Sequence, residues 1–503
     1  MRERLKSAPN EVVCKYIFEP SILDDSNRSF YNMINLNLAH VLMLNKQEII
    51  EKSDVETILQ ALLDLRDKGT EAFEVNPLYE DYYFNIEQYL ISQIGLESAG
   101  KMHTARSRND LHSTIDRMNV RDSIIKIYPK VLKLRSILIN LASENTETVM
   151  TGYTHMQPAQ PITLAHYLLG IANAVERDYK RLEEAYLRLN YCPLGSGAFA
   201  GTSFNIDRQY TAELLGFYGP IQNSIDAVAS RDYLLEFAAN FAILGSNINR
   251  FVNDLYIWAT NEFGYVEVDD SMAACSSIMP QKKNPITLEH IKAKTSHLLS
   301  GFVSIFTCMK GIPYGHCRDL GGESIKMYWE SCTQVDAILE LLNGTLSSLK
   351  IKKDKMKLNT NTNFSTVTEL ADELVKKEKL SFRVAHQIVG KVVSECVEKG
   401  INSDGITIEM INNVGKIYAL RTFDWTQDDV NKLLNATYSV ENKLSLGSPS
   451  QKESANSISK LEKGLDKDVQ VYENRVKELE LSEINLENEM SKIKLSYAEG
   501  FNL

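Results

Sequence analysis

Cysteine pairing, long apolar runs and cationic excess are all missing from this chain of 503 residues. The seven cysteines (Cys14, Cys192, Cys275, Cys308, Cys317, Cys332 and Cys396) are scattered and odd in number, with no CxxC pair and no Cys/His spacing for a metal. That pattern excludes a disulfide scaffold and a zinc module, and it fits a reducing compartment. No metal site and no cofactor are expected. No segment approaches the ~18 apolar residues of a membrane-spanning helix, and no apolar stretch near the N-terminus reads as a secretory signal. The expectation is a cytoplasmic protein without a membrane partner. A net charge of −11 and the lack of any Lys/Arg stripe argue against nucleic acid as a partner. Runs of β-branched residues with period-two alternation do not recur, which leaves an all-α class.

Helical periodicity is what remains. Ile50, Val55, Ile58, Leu59, Leu62 and Leu63 recur at helical spacing, and residues 115–141 carry the pattern for longer. Residues 232–263 are apolar on more than one side and free of proline, and residues 287–309 are similar. Both are expected as buried helices of a bundle. Composition is ordinary for a globular protein, and the length predicts roughly two to four domains.

The densest chemistry lies in Ser276-Ser277-Ile278-Met279-Pro280-Gln281-Lys282-Lys283-Asn284-Pro285. Pro280 and Pro285 keep this stretch from being one regular helix. A lysine pair followed by an amide suits a carboxylate whose charge grows during reaction. A nearby serine suits proton transfer, provided its alkoxide is stabilised by cations and backbone N–H groups. The ten residues resemble the SSxMPxKxN signature of the fumarase/aspartase superfamily. Three further segments narrow the resemblance: His103-Thr104-Ala105-Arg106-Ser107-Arg108-Asn109-Asp110, Gly152-Tyr153-Thr154-His155-Met156-Gln157-Pro158, and Pro193-Leu194-Gly195-Ser196-Gly197-Ala198. Together they resemble argininosuccinate lyase, over a span from around Glu80 to about Glu453. Gly195-Ser196-Gly197 is not read as a nucleotide loop, because no strand precedes it and the spacing is not GxGxxG.

The resemblance implies three helical domains, with a central five-helix bundle that assembles into a twenty-helix core in a homotetramer whose active sites are shared between subunits. On this chain the domains are expected at 1–105, 106–355 and 356–453, with a helical extension at 454–503. It also implies a carbon–nitrogen lyase acting on a small dicarboxylate, releasing fumarate by β-elimination. Residue by residue, Ser276 matches the general base, Lys282 and Asn284 the groups that hold the carboxylate, His155 an acid, base or orienting residue, and Glu289 its carboxylate partner. Ser107, Arg108 and Asn109 match the fumarate-side binding residues, beside Thr154 and Gln157. Arg106 and Arg117 read as helix-surface cations.

Departures from the family cluster at Gly311-Ile312-Pro313-Tyr314-Gly315-His316-Cys317-Arg318-Asp319-Leu320-Gly321-Gly322-Glu323-Ser324. The family's Tyr, Gln and Lys for the arginine end of the substrate fall on His316, Gly321 and Ser324, with Tyr314, Arg318 or Lys326 as substitutes. Glu80-Asp81-Tyr82-Tyr83 and Cys275 depart as well. Argininosuccinate is the expected substrate, another N-substituted aspartate the alternative, and a catalytically silent structural homologue a third reading. Beyond Gly447-Ser448-Pro449-Ser450 a loop-like stretch is expected. Leu465, Val469, Tyr472, Val476, Leu479, Leu486, Met490, Ile493 and Tyr497 then form a heptad-like seam, interrupted at Glu483. This tail reads as an addition to the family, packed either on its own subunit or in an intermolecular coil.

Overall fold

The computed structural model describes residues 4–500, apart from the side chains of 361–362 and 494–500. The helices that position the site are α1 (Glu19–Lys46), α2 (Lys52–Lys68), α3 (Tyr82–Ile94), α4 (Arg108–Ser143), α5 (Leu164–Leu189), α6 (Asp232–Trp258), α7 (Ile286–Met309), α8 (Ser324–Ser347), α9 (Phe382–Glu398) and α10 (Gln451–Gly500). Among the described residues, strand is confined to three antiparallel pairs: β1 (Val149–Thr154) with β2 (Gln157–Thr163), β3 (Val266–Glu267) with β6 (Lys350–Ile351), and β4 (Ala274–Cys275) with β5 (Lys283–Asn284). The class is all-α, as expected.

Five helices close a ring in which α4 packs on α5 and α8, and α6 packs on α5 and α7, with α7 against α8. Phe237, Phe241, Leu244, Ile248, Phe251 and Leu255 fill it from α6. Spaced by three and four residues, they put a continuous apolar face into the ring. The helix ends at Trp258, before the 263 of the sequence reading; residues 259–263 form turns, and Gly264 follows with φ +59°. A second core joins α1–α3 to the start of α4, and a third surrounds α9.

Arg106 and Arg117 are not surface cations. Both are buried: Arg106 donates to Asn37 Oδ1 (2.5 Å) and Tyr83 Oη (3.1 Å), and Arg117 donates to the Leu189 carbonyl (2.7 Å). Each guanidinium satisfies oxygens that a shorter side chain would leave unpaired.

The tail packs on its own subunit, and the loop-like stretch expected after Ser450 is helical instead: residues 442–450 are turn and coil, and α10 begins at Gln451. Ile458 and Leu461 enter the central core, Leu486 and Met490 the N-terminal one. Asp468, fully buried, binds buried Arg135 at 2.6 Å and also Lys180. Arg475 reaches Tyr128 Oη (3.2 Å) and Glu183 (3.4 Å). At the expected break the buried residue is Ser482, packed against Gly216, where an added Cβ would lie 2.8 Å from its Oγ. The side chain of Tyr497 lies outside the described residues.

Candidate active site

Ser107 caps α4 by accepting the Asn109 N–H, and Asp110 completes a capping box by accepting the Ser107 N–H at 2.9 Å. The other oxygen of buried Asp110 accepts the N–H groups of Gly195 and Gly197, both at 2.9 Å. Burial raises the pKa of this carboxyl, and the three amides oppose that rise. Asn109 Nδ2 donates to the Ala198 carbonyl at 3.1 Å. The glycine-rich turn is thereby bolted to the first turn of α4. It needs glycine: Gly195 has φ +85°, and a Cβ there would meet Arg208 Cγ at 2.7 Å.

Arg108 stacks over Phe84 at 3.9 Å and gives one nitrogen, Nη1, to Asp81 Oδ2 at 2.6 Å. Asp81 caps α3 through its other oxygen. Held at one corner, the planar fork of Arg108 keeps a defined orientation.

One turn further along α4, His112 lies 3.5 Å from the same Asp81 oxygen, and after another turn comes Asp116. His112 and Asp116 line a cavity of about 260 Å³, together with Asp25, Arg231, His316 and Arg318. Burial raises the Asp25 carboxyl to about 6, with His112 opposing. Burial also raises Asp116, against the pull of Arg231. His316 is lowered to about 4 by burial and by Arg231 and His112, which leaves it a neutral imidazole near neutral pH. For His112 burial lowers the pKa, but Asp81 outweighs it and the net shift is upward.

Of the altered family positions, His316 and Gly321 line this cavity; Gly321 faces open space. Ser324 does not take part: it is buried and its hydroxyl donates to the Leu320 carbonyl in the turn that leads into α8. Among the expected substitutes Arg318 and Lys326 line the cavity, whereas exposed Tyr314 donates to Asp226 at 2.5 Å.

His155 sits elsewhere, at the tip of the β1–β2 hairpin. It and Met156 form the two-residue turn with φ +52° and +58°. Type I′ turns require positive φ at both positions, which non-glycine residues adopt only at a cost. Thr154 and Gln157 flank the turn, exposed.

Ser276 opens the loop between β4 and β5. Its Oγ accepts the N–H groups of Met279 (3.0 Å) and Ile278 (3.4 Å), donors that favour an alkoxide. Ile278 is 82% exposed at the loop tip. Lys283 is tied to Asp270 (2.5 Å) and Glu267 (3.2 Å), whereas Lys282 forms no ion pair among the described residues. Asn284 is half-buried on β5. Glu289 does not meet His155 within the protomer; it accepts a hydrogen bond from Tyr256 at 3.2 Å.

The two groups lie at opposite ends of α6. Arg231, its N-cap, binds Asp116 at 3.2 Å beside the cavity. Tyr256, at the other end, binds Glu289, and Ile257 and Trp258 border the His155 hairpin. At 1.5 Å per residue the helix separates them by roughly 40 Å.

Sequence reasoning missed Asp25, His112, Asp116 and Arg231. The spacing of Arg108, His112 and Asp116, four residues apart on one helix face, was a legible signal for two of them.

Residues 17–299 match a lyase family model, and residues 364–441 match the C-terminal model of argininosuccinate lyase. The chain belongs to the argininosuccinate lyase family. It is 43% identical to argininosuccinate lyase 1 of Shouchella clausii over 93% of this chain and 94% of that one. The Methanocaldococcus jannaschii argininosuccinate lyase is 38% identical over 99% of both chains. The α10 tail is therefore shared with a family member and is no addition. EDDS lyase, solved with formate, is 30% identical with a TM-score of 0.86, covering 97% of this chain and 96% of that one. A class II fumarase from Schistosoma mansoni shares the fold at a TM-score of 0.67 and 14% identity. The chain is a carbon–nitrogen lyase. No helix among the described residues is long and apolar enough to cross a membrane.

Proposed function

We propose that this lyase cleaves argininosuccinate into arginine and fumarate in the cytoplasm. The observation that carries the reading is the cavity beside Arg108, which carries carboxylates (Asp25, Asp116) and cations (Arg231, Arg318) together. A zwitterionic amino-acid head matches such a mixed wall, and the succinyl half then extends toward Ser107, Arg108 and Asn109.

Elimination requires loss of a weakly acidic Cβ proton next to a carboxylate. Ser276 takes that proton, with its alkoxide held by the Met279 and Ile278 N–H groups. Lys282 and Asn284 hold the aci-carboxylate that forms, where positive charge stabilises the carbanion most. Collapse of the carbanion expels the guanidino nitrogen as arginine, and His155 assists in proton transfer.

Because Arg108 and Ser276 lie at opposite ends of α6, one protomer does not assemble this set. A homotetramer in which α6 helices of neighbouring subunits run antiparallel brings the two ends together and supplies His155 with its carboxylate. The test is genetic: the gene should restore arginine-independent growth to a strain lacking argininosuccinate lyase. Failure to rescue, with fumarate still released from another N-substituted aspartate, contradicts argininosuccinate as the substrate.

A further inference from the structure

The positions where the family places donors for the amino-acid end are poorly equipped in this chain. His316 is a neutral ring, Gly321 has no side chain and Ser324 is spent on Leu320. Arg318 and Lys326 bring positive charge from this same wall, Lys326 paired with Glu323, and the other walls add His112 and Arg231.

His112 stands opposite that segment, on α4. It is largely enclosed, and its Nε2 faces Asp81 Oδ2 at 3.5 Å, within ion-pair distance. His316 Nδ1, also lining the cavity, is buried and has no hydrogen-bond partner among the described residues. A buried imidazole nitrogen without a partner, beside a cavity walled by an ion-paired histidine, is the mark of a site whose occupant supplies the missing contact. The charged groups around His112 come from every packed element: Asp25 from α1, Asp81 at the cap of α3, Arg108 and Asp116 from its own helix, Arg231 from α6, and Arg318 and His316 from the segment before α8. Asp81 is shared, since it holds Arg108 at 2.6 Å on the fumarate side and faces His112 on the other.

We infer that His112 is a specificity-determining residue for the leaving amine: its imidazolium, with Arg231, reads the α-carboxylate, while Asp25 across the cavity reads the α-ammonium. This rests on the proposed site but is tested separately from turnover. The arrangement compensates for the three altered family positions with a cation from a different helix. It also selects for a full α-amino acid over an amine that lacks either charged group.

The experiment is calorimetric titration of the full-length protein with three probes. L-arginine carries both groups, agmatine lacks the carboxylate and 5-guanidinopentanoate lacks the ammonium. Wild type should bind L-arginine at least about tenfold more tightly than either analogue. His112→Gln and His112→Asn should weaken arginine and 5-guanidinopentanoate about tenfold and leave agmatine unchanged. Asp25→Asn should do the converse, weakening arginine and agmatine alone. A merely structural role would weaken all three probes together in each variant, and that result overturns the inference. So does unchanged binding in both His112 variants, or the failure of wild type to bind arginine while it still cleaves argininosuccinate. Failure of the substrate reading shows instead as loss of argininosuccinate turnover in wild type.

Discussion

Arg108 Nη1 rests 2.6 Å from Asp81 Oδ2, an oxygen that also faces His112 at 3.5 Å. One buried carboxylate thus orients the Arg108 guanidinium and faces the His112 imidazole in the cavity wall. Burial pushes the Asp81 carboxyl up, but His112 and Arg108 outweigh it, and its pKa falls well below the usual carboxylate range. A carboxyl with a depressed folded-state pKa stabilises the fold above its unfolded pKa of about 4 and loses that contribution as pH falls further. Asp81→Asn should therefore flatten the loss of thermal stability between about pH 4 and pH 2. It should also lower kcat/KM for argininosuccinate. An acid-unfolding profile matching that of wild type would remove Asp81 from this role.

The Asp25 carboxyl, raised by burial to about 6, gives the amine cavity its own pH dependence. Above that value it is charged and holds an ammonium; below it the group is neutral. KM for argininosuccinate should rise as pH falls through about 6, with the inflection absent in Asp25→Asn. Profiles of KM against pH from 5 to 8 for both proteins check this.

Ser276→Ala deletes the proposed base from an exposed loop and removes no buried volume. Single-base losses cost ~10²–10⁴ in rate. The variant should keep the wild-type melting temperature while kcat drops on that scale. A near-normal kcat would exclude Ser276 as the base.

Asp468 and Arg135 are both fully buried, on α10 and α4. Removing Asp468 leaves buried Arg135 with Glu176 (2.9 Å) as its remaining carboxylate, so the loss is at most that of a broken buried pair, about 3–5 kcal/mol. Asp468→Ala should show this by chemical denaturation, and the double variant Arg135→Met/Asp468→Leu should recover most of it.

Much of the fold was legible. Long apolar runs such as that of α6 read as buried helices, since a helix apolar on several sides has no stable place on a surface. The tail was half-read: its spacing announced a packed face, but polar Asp468, Arg475 and Ser482 share the seam. Their partners Arg135, Glu183 and Gly216 lie hundreds of residues away in sequence. Ser276, Lys282 and Ser107–Asn109 stood out as candidates because their chemistry is local and dense. Asp25 and Arg231 were not, because only the packing of α1 and α6 against α4 brings them to one cavity. The expected His155–Glu289 pair does not form within the protomer: Glu289 accepts from Tyr256, and the His155 hairpin borders Ile257 and Trp258.

The central claim is that Arg108 and Ser276 serve the same reaction from different subunits, and mixing tests it most directly. Arg108→Ala and Ser276→Ala proteins, each inactive alone, are denatured together in equal amounts and refolded. Random mixed tetramers place an intact Arg108 opposite an intact Ser276 in about a quarter of the sites. Argininosuccinate cleavage, followed as fumarate and arginine formed one to one, should return to about that fraction of wild type. Mixed oligomers that form yet release no fumarate would contradict a site built across subunits.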